Sequence, residues 1–229
     1  MMRLYNAPRY GPQMSAPQGW IARLGQDPFA HTFGGNSWDV ADVNNKISKP
    51  TLLMTLDLTD PRIGLPRISA LQSLPICSHI NCDAWTARQT YQIEPASKRV
   101  TLLAENTSPE PLDEVDLFPD PLPESRITLD KMELDDCPLN EDAYWKACDR
   151  FLGSSSFIRV LGPPLWLQWV EEETCECGLP MEYICGIGYE DYQRPSGIIP
   201  NKAFYIGDAA LYFFLCPHCL KVVVTSQPS

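Results

Sequence analysis

Apolar and polar positions alternate along much of this chain, in runs too short for helices and punctuated by Gly and Pro. In the amino-terminal part, Thr51-Leu-Leu-Met-Thr-Leu-Asp-Leu58, closed by Asp60-Pro61, predicts a strand. Ala84–Ile93, rich in Thr, Tyr and Trp, predicts a second, and Arg99–Ala104 a third. From Ile158 onward the same pattern predicts strands over Leu165–Val170, Met181–Tyr189, Ala203–Ile206, Leu211–Leu215 and Val222–Ser226. One segment has helical periodicity. Over Glu141–Leu152, Ala143, Tyr144, Ala147, Cys148, Phe151 and Leu152 make an apolar stripe. Asn140 is placed to cap it, acids fill its first turn, and Gly153 follows its end. The fold class predicted is α+β, mainly β, with mixed or antiparallel sheets.

Four stretches follow. Residues 1–30, rich in Pro, Gly and Gln, read as an irregular arm, and 31–104 as a first β-rich half. Residues 105–157 form an acidic connection followed by the helix, and 158–229 a second β half. Pro109, Pro111, Pro119, Pro121, Pro123 and Pro138 forbid a continuous helix in the connection. Leu112, Val115, Leu117, Phe118, Leu122, Ile127 and Leu129 would hold it against the core. The halves are weakly related. Phe33-Gly-Gly-Asn-Ser-Trp38 parallels Leu161-Gly-Pro-Pro-Leu-Trp166, and Lys49–Leu58 parallels Leu179–Gly188. The stretch around Cys77 and Cys82 parallels Cys216 and Cys219.

Charge adds a direction to this picture. Between Glu105 and Asp142 there are 13 acids and two bases, Arg126 and Lys131, so these 38 residues carry the whole net charge of −11. That sign disfavours nucleic acid and favours a basic protein partner. Asp113, Glu114, Asp116, Asp120, Glu124, Asp135 and Asp136 are the candidate partner-binding residues; the simpler reading is a solvated loop. No apolar run is long enough for a membrane helix and the start lacks the apolar core of a signal peptide, so a soluble, cytoplasmic protein is expected.

In such a compartment closely spaced cysteines favour metal over disulfides. Of nine cysteines, Cys175 and Cys177 precede Gly178, and Cys216 and Cys219 flank Pro217-His218. Cys-x2-Cys lets two thiolates of one tight turn reach one tetrahedral ion. Paired with Cys175-x-Cys177, it predicts one structural zinc (Zn2+) in a zinc-ribbon-like pair of knuckles, with His218 a possible replacement for one cysteine. Cys77 and Cys82, with His79 between them, lack an upstream partner pair, where Asn44-Asn45-Lys46 stands instead. Cys137, Cys148 and Cys185 read as packing residues.

Enzyme signatures are sparse. The only histidines are His31, His79 and His218, and no nucleophile motif or phosphate-cradling loop accompanies them. Asp135-Asp136 and Glu171–Glu173 read as solvated faces.

Leu161-Gly-Pro-Pro-Leu-Trp-Leu-Gln168, Cys175-Glu-Cys-Gly-Leu-Pro-Met181, Tyr205-Ile-Gly-Asp208 and Leu211-Tyr-Phe-Phe-Leu-Cys-Pro-His-Cys219 follow one another in this order. Together they resemble the YwqG-like family of uncharacterised bacterial proteins. Its members carry Gly-Gly-x-Pro-x-Trp-x-Gln, a Cys-x2-Cys-Gly knuckle with a following Met, and Gly-Asp-x-Gly-x-x-Tyr-x-Phe. PDCD-type ribosomal-protein chaperones have a similar two-half plan. Here the first knuckle is Cys-x-Cys, Pro163 stands where a second glycine belongs, and Ala209-Ala210 replaces the glycine-containing turn. The resemblance implies two related β-rich halves and no established catalysis. It also implies an immunity protein, or antitoxin, for a cognate basic toxin. A chaperone of a basic client and a hydrolytic enzyme using His31 or His79 are the alternatives.

Overall fold

The computed structural model describes residues 18–42, 49–65, 68, 71–82, 88–106, 110, 112–113, 116–138 and 140–229. They build twelve strands: β1 (Trp20–Leu24), β2 (Thr32–Phe33), β3 (Asp39–Asp42), β4 (Thr51–Asp57), β5 (Ser73–Ser78), β6 (Gln89–Glu94), β7 (Arg99–Glu105), β8 (Ser125–Lys131), β9 (Ile158–Val160), β10 (Glu182–Ile187), β11 (Ala209–Cys216) and β12 (Lys221–Pro228). The strands form one nearly closed sheet in the order β3-β7-β6-β12-β11-β10-β9-β1-β8-β2-β4-β5. Every pairing is antiparallel except β3 with β7. The mainly β expectation holds, and the helix is α1 (Glu141–Phe151), with the Asn140 side chain accepting the Ala143 N–H at 3.0 Å.

The irregular arm predicted for residues 1–30 is corrected at β1, which lies in the middle of the sheet between β8 and β9. Ile21 and Ala22 are buried there. Glycines at both ends of this five-residue strand mask it in the sequence, and packing requires at least one of them. A Cβ on Gly19 would lie 2.3 Å from Met132 Sδ, and one on Gly162 would lie 2.6 Å from the Gly19 Cα. The two backbones touch, which only glycine allows.

The acidic connection also contributes a central strand. In β8, Ile127 and Leu129 face the core while Thr128 and Asp130 alternate with them. Strand β1, from before the first half, completes the second half through β9; β8, from between the halves, completes the first through β2. The two halves therefore interleave.

Strand β5 is an edge, which tolerates Pro75 within it. The strands expected at Leu165–Val170 and Ala203–Ile206 are extended loops instead. Their apolar residues are consecutive because the loops lie over other side chains: Trp166 stacks on Phe214 at 6.1 Å and Phe204 on Phe157 at 5.6 Å. The portion of Ala84–Ile93 before Arg88 lies outside the described residues.

The predicted repeat is visible in the backbone, one residue out of step with its sequence alignment. β4 bulges against β5 between Leu52 and Met54, and β10 bulges against β11 between Tyr183 and Cys185. The bulged carbonyls, of Leu53 and Ile184, accept the N–H of Gly34 at 2.8 Å and of Leu161 at 2.7 Å. Both donors have positive φ and each is followed by a positive-φ glycine, Gly35 or Gly162. Gly34 thus answers Leu161, where residue identity aligns Phe33 with it.

Two cores result. The larger runs through both halves. The smaller, under α1, comprises Tyr144, Ala147, Cys148, Phe151, Trp166, Tyr212, Phe214 and their neighbours, and it includes Cys175 and Cys216.

Candidate metal centre

β11 and β12 pair up to Cys216 and Lys221 and turn through Pro217–Leu220. Leu220 adopts φ +55 and its N–H returns to the Cys216 carbonyl at 2.9 Å. The Cys219 N–H then points at Cys216 Sγ at 3.4 Å. Strand β6 holds this turn, Ile93 N–H donating to the Leu220 carbonyl and Gln92 Nε2 to that of Cys219, both at 2.9 Å.

The other arm is a small loop closed by pairing of Thr174 with Pro180. Inside it, Cys175 N–H donates to Leu179 O at 2.9 Å and Gly178 N–H to Cys175 O at 2.8 Å. Gly178 sits at φ +84 with open space beside it, so the backbone shape selects glycine here. Lys221 and Glu176 form an ion pair across the two arms.

All four sulfur atoms lie within 4.8 Å of one another, and Cys177 Sγ is 3.7 Å from Cys216 Sγ. A tetrahedral ion with metal–sulfur bonds of about 2.3 Å has sulfur–sulfur edges of about 3.8 Å. The donor set therefore fits one metal ion, as the spacing predicts. His218 stays outside it, exposed, with Nδ1 3.6 Å from Cys219 Sγ.

The thiols resist ionising together. The Leu179 N–H, and then the neighbouring thiols, draw exposed Cys177 down to about 6. Burial raises Cys175, and the adjoining Cys177 sulfur pushes Cys219 up to about 12. A bound dication removes that conflict by making four thiolates favourable at once.

A second group of candidate ligands joins Asp27, from before the first half, to His31 and Asp60 within it. Here the chain supplies the cation. The Arg62 guanidinium bonds both Asp27 oxygens at 2.7 Å, Asp60 Oδ2 at 2.8 Å through Nε, and the Leu129 carbonyl at 3.0 Å. His31 Nδ1 accepts the Asp57 N–H at 3.0 Å, so Nε2 carries the hydrogen donated to Asp60 at 2.8 Å. Both nitrogens are engaged and the ring is buried. Burial alone would raise the Asp27 and Asp60 carboxyls, but hydrogen bonds led by Arg62 hold both down, Asp27 to about 2. Sequence reading missed this network. Its local signals are two Asp-Pro turns, in which Asp27 accepts from Phe29 N–H at 3.0 Å and Asp60 from Arg62 N–H at 2.8 Å.

The repeat registers His79 and Cys82, rather than Cys77 and Cys82, with Cys216 and Cys219. Cys77 pairs with Leu52 as Phe214 does with Tyr183, and the next residues count on from there. Among the described residues these side chains gather no third metal-ligating partner; Asn44-Asn45-Lys46 lies outside the described residues. Cys77, Cys148 and Cys185 are buried, burial raising the Cys77 and Cys185 thiols, and Cys137 is half-buried.

Asp113, Asp116, Asp120, Glu124 and Asp135 are exposed and Asp136 is half-buried, while Glu114 lies outside the described residues. β8 divides them along the chain. Asp113, Asp116, Asp120 and Glu124 precede the seven-residue β8, and Asp135 and Asp136 follow it. Asp136 lies 3.8 Å from Arg150. Glu171 and Glu173, read as a solvated face, are bonded: Glu171 to Thr225 and Gln227, Glu173 to Arg88 at 2.8 Å.

No protein-family model, curated protein or solved structure matches the chain. No helix among the described residues is long and apolar enough to cross a membrane.

Proposed function

We propose that the chain is a non-catalytic binding protein, scaffolded by one structural zinc, whose acidic 113–124 segment receives a basic protein partner. Four thiolates fill a zinc coordination sphere, leaving no open position for a substrate or an activated water. The YwqG-like resemblance points to a cognate bacterial toxin as that partner, and hence to an immunity protein.

One observation carries the binding role. The carboxylates of Asp113, Asp116, Asp120 and Glu124 face solvent with no cationic side chain on them among the described residues. The nearby Lys202 ammonium instead bonds the backbone carbonyls of Asp116 and Leu117, at 3.0 and 2.7 Å. Asn81 also holds Phe118 on both sides, accepting its N–H at 2.7 Å and donating to its carbonyl at 3.0 Å. The backbone at residues 116–118 is held in place and the nearby charge is left for something else, which speeds encounter with a basic surface and selects it.

The test is co-purification with the product of the adjacent gene across a salt series. The complex is expected to weaken steeply with salt and to be lost in the triple variant D113K/D116K/D120K. Capture of a ribosomal protein encoded elsewhere would move the reading to a chaperone. A complex indifferent to both salt and charge reversal contradicts the proposal.

A further inference from the structure

A groove of about 410 Å³ is lined by residues 169–173, by Arg88 and Asn106 flanking the β6–β7 hairpin, and by Thr225 and Ser226. Trp169, Val170, Glu171, Glu172 and Glu173 line it together with Arg88. Trp169 is 48% exposed and Val170 41%, adjacent large apolar residues open to solvent in a concave site.

The wall is held rigidly. Fully buried Gln227 accepts the Gln168 N–H at 2.9 Å and donates to the Trp169 carbonyl at 2.7 Å and to Glu171 Oε1 at 3.1 Å. Thr225 fixes the other Glu171 oxygen, and Arg88 holds Glu173. Glu172 is exposed at the mouth. Three carboxylates against one guanidinium leave the groove negative beside an aromatic face.

We infer that this groove takes a lysine or arginine side chain of a basic protein partner, its aliphatic stem on Trp169 and Val170 and its charged head by Glu172. Cation–π attraction and the carboxylates act on the same head group, while the stem covers the exposed apolar wall. A nucleic acid would meet the wrong sign of charge, and a purely apolar segment would leave the exposed Glu172 carboxylate without a partner. The inference shares the basic partner with the reading above but rests on a separate surface.

The probe is a penta-arginine peptide titrated into the full-length, zinc-loaded protein, followed by the indole N–H resonance of Trp169 assigned with W169F. Binding is expected to shift that resonance, and W169A and E172K are each expected to weaken the peptide by about tenfold. Glu172 is exposed, so E172K decides the matter even if W169A folds poorly. An unmoved resonance, or E172K binding as tightly as the parent, overturns the inference. The triple variant D113K/D116K/D120K separates the two surfaces. If the cognate partner needs the 113–124 carboxylates but binds E172K normally, the groove fails and the acidic-segment reading stands; the reverse result rejects that segment alone.

Discussion

The molecule gathers two clusters of metal-ligating side chains, one of carboxylates and one of thiols. In one, Asp27 and Asp60 close around Arg62, a cation built into the chain, and His31 bonds Asp60. The other brings together the sulfur atoms of Cys175, Cys177, Cys216 and Cys219 in the second half. A guanidinium tied to two carboxylates is a permanent part of the fold. Four thiols within 4.8 Å of one another could instead hold a cation taken from solution. The difference suits their settings. The arginine network ties the Asp27 and Asp60 turns to β8, whereas the thiols join two turns over the smaller core under α1.

The largest expected effect comes from breaking the imported side. Cys216→Ser removes a buried ligand and should cost at least about 5 kcal/mol of stability in zinc-containing buffer, or more than about 10 °C in melting temperature. A strong chelator should bring the parent protein down to the variant and leave the variant unchanged. Calorimetry with and without chelator measures both.

Breaking the internal side is next. Arg62→Met strands the buried carboxylates of Asp27 and Asp60, at an expected cost of about 3–5 kcal/mol by denaturant titration. Unlike Cys216→Ser, it should leave the metal content unchanged.

Acid sharpens the contrast further. The folded pKa of Asp27, about 2, lies below its unfolded value. Its contribution of about 2 kcal/mol is therefore complete above pH of about 4 and is lost as pH falls through the folded value. Arg62→Met should flatten this part of the stability–pH curve, measurable by chemical denaturation at stepped pH. The smallest effect is expected from Asn140→Ala, which removes the α1 cap and costs about 1 kcal/mol by the same assay, with metal retained.

What the sequence discloses divides along the same line. The cysteine turns and α1 are legible because their signals are local: Cys-x2-Cys on a hairpin, Gly178 after Cys177, and Asn140 before an apolar stripe. The arginine network is not, since Asp27, His31, Arg62 and Leu129 meet only after β1, β2, β4 and β8 assemble. The two Asp-Pro turns hint at bends and say nothing of their partners. β1 and β8 are missed as central strands because neighbouring glycines, prolines and acids outweigh five- and seven-residue patterns. The acidic run is evident from composition, yet β8 divides it, which no count of charges reveals. The repeat is perceptible in residue order, and its true register emerges only from the bulges at Leu53 and Ile184.

Native mass spectrometry of the purified protein tests the central claim most directly. One zinc ion per chain is predicted, absent from Cys216→Ser and retained in Arg62→Met. A metal-free parent whose melting temperature is indifferent to chelator would contradict the account.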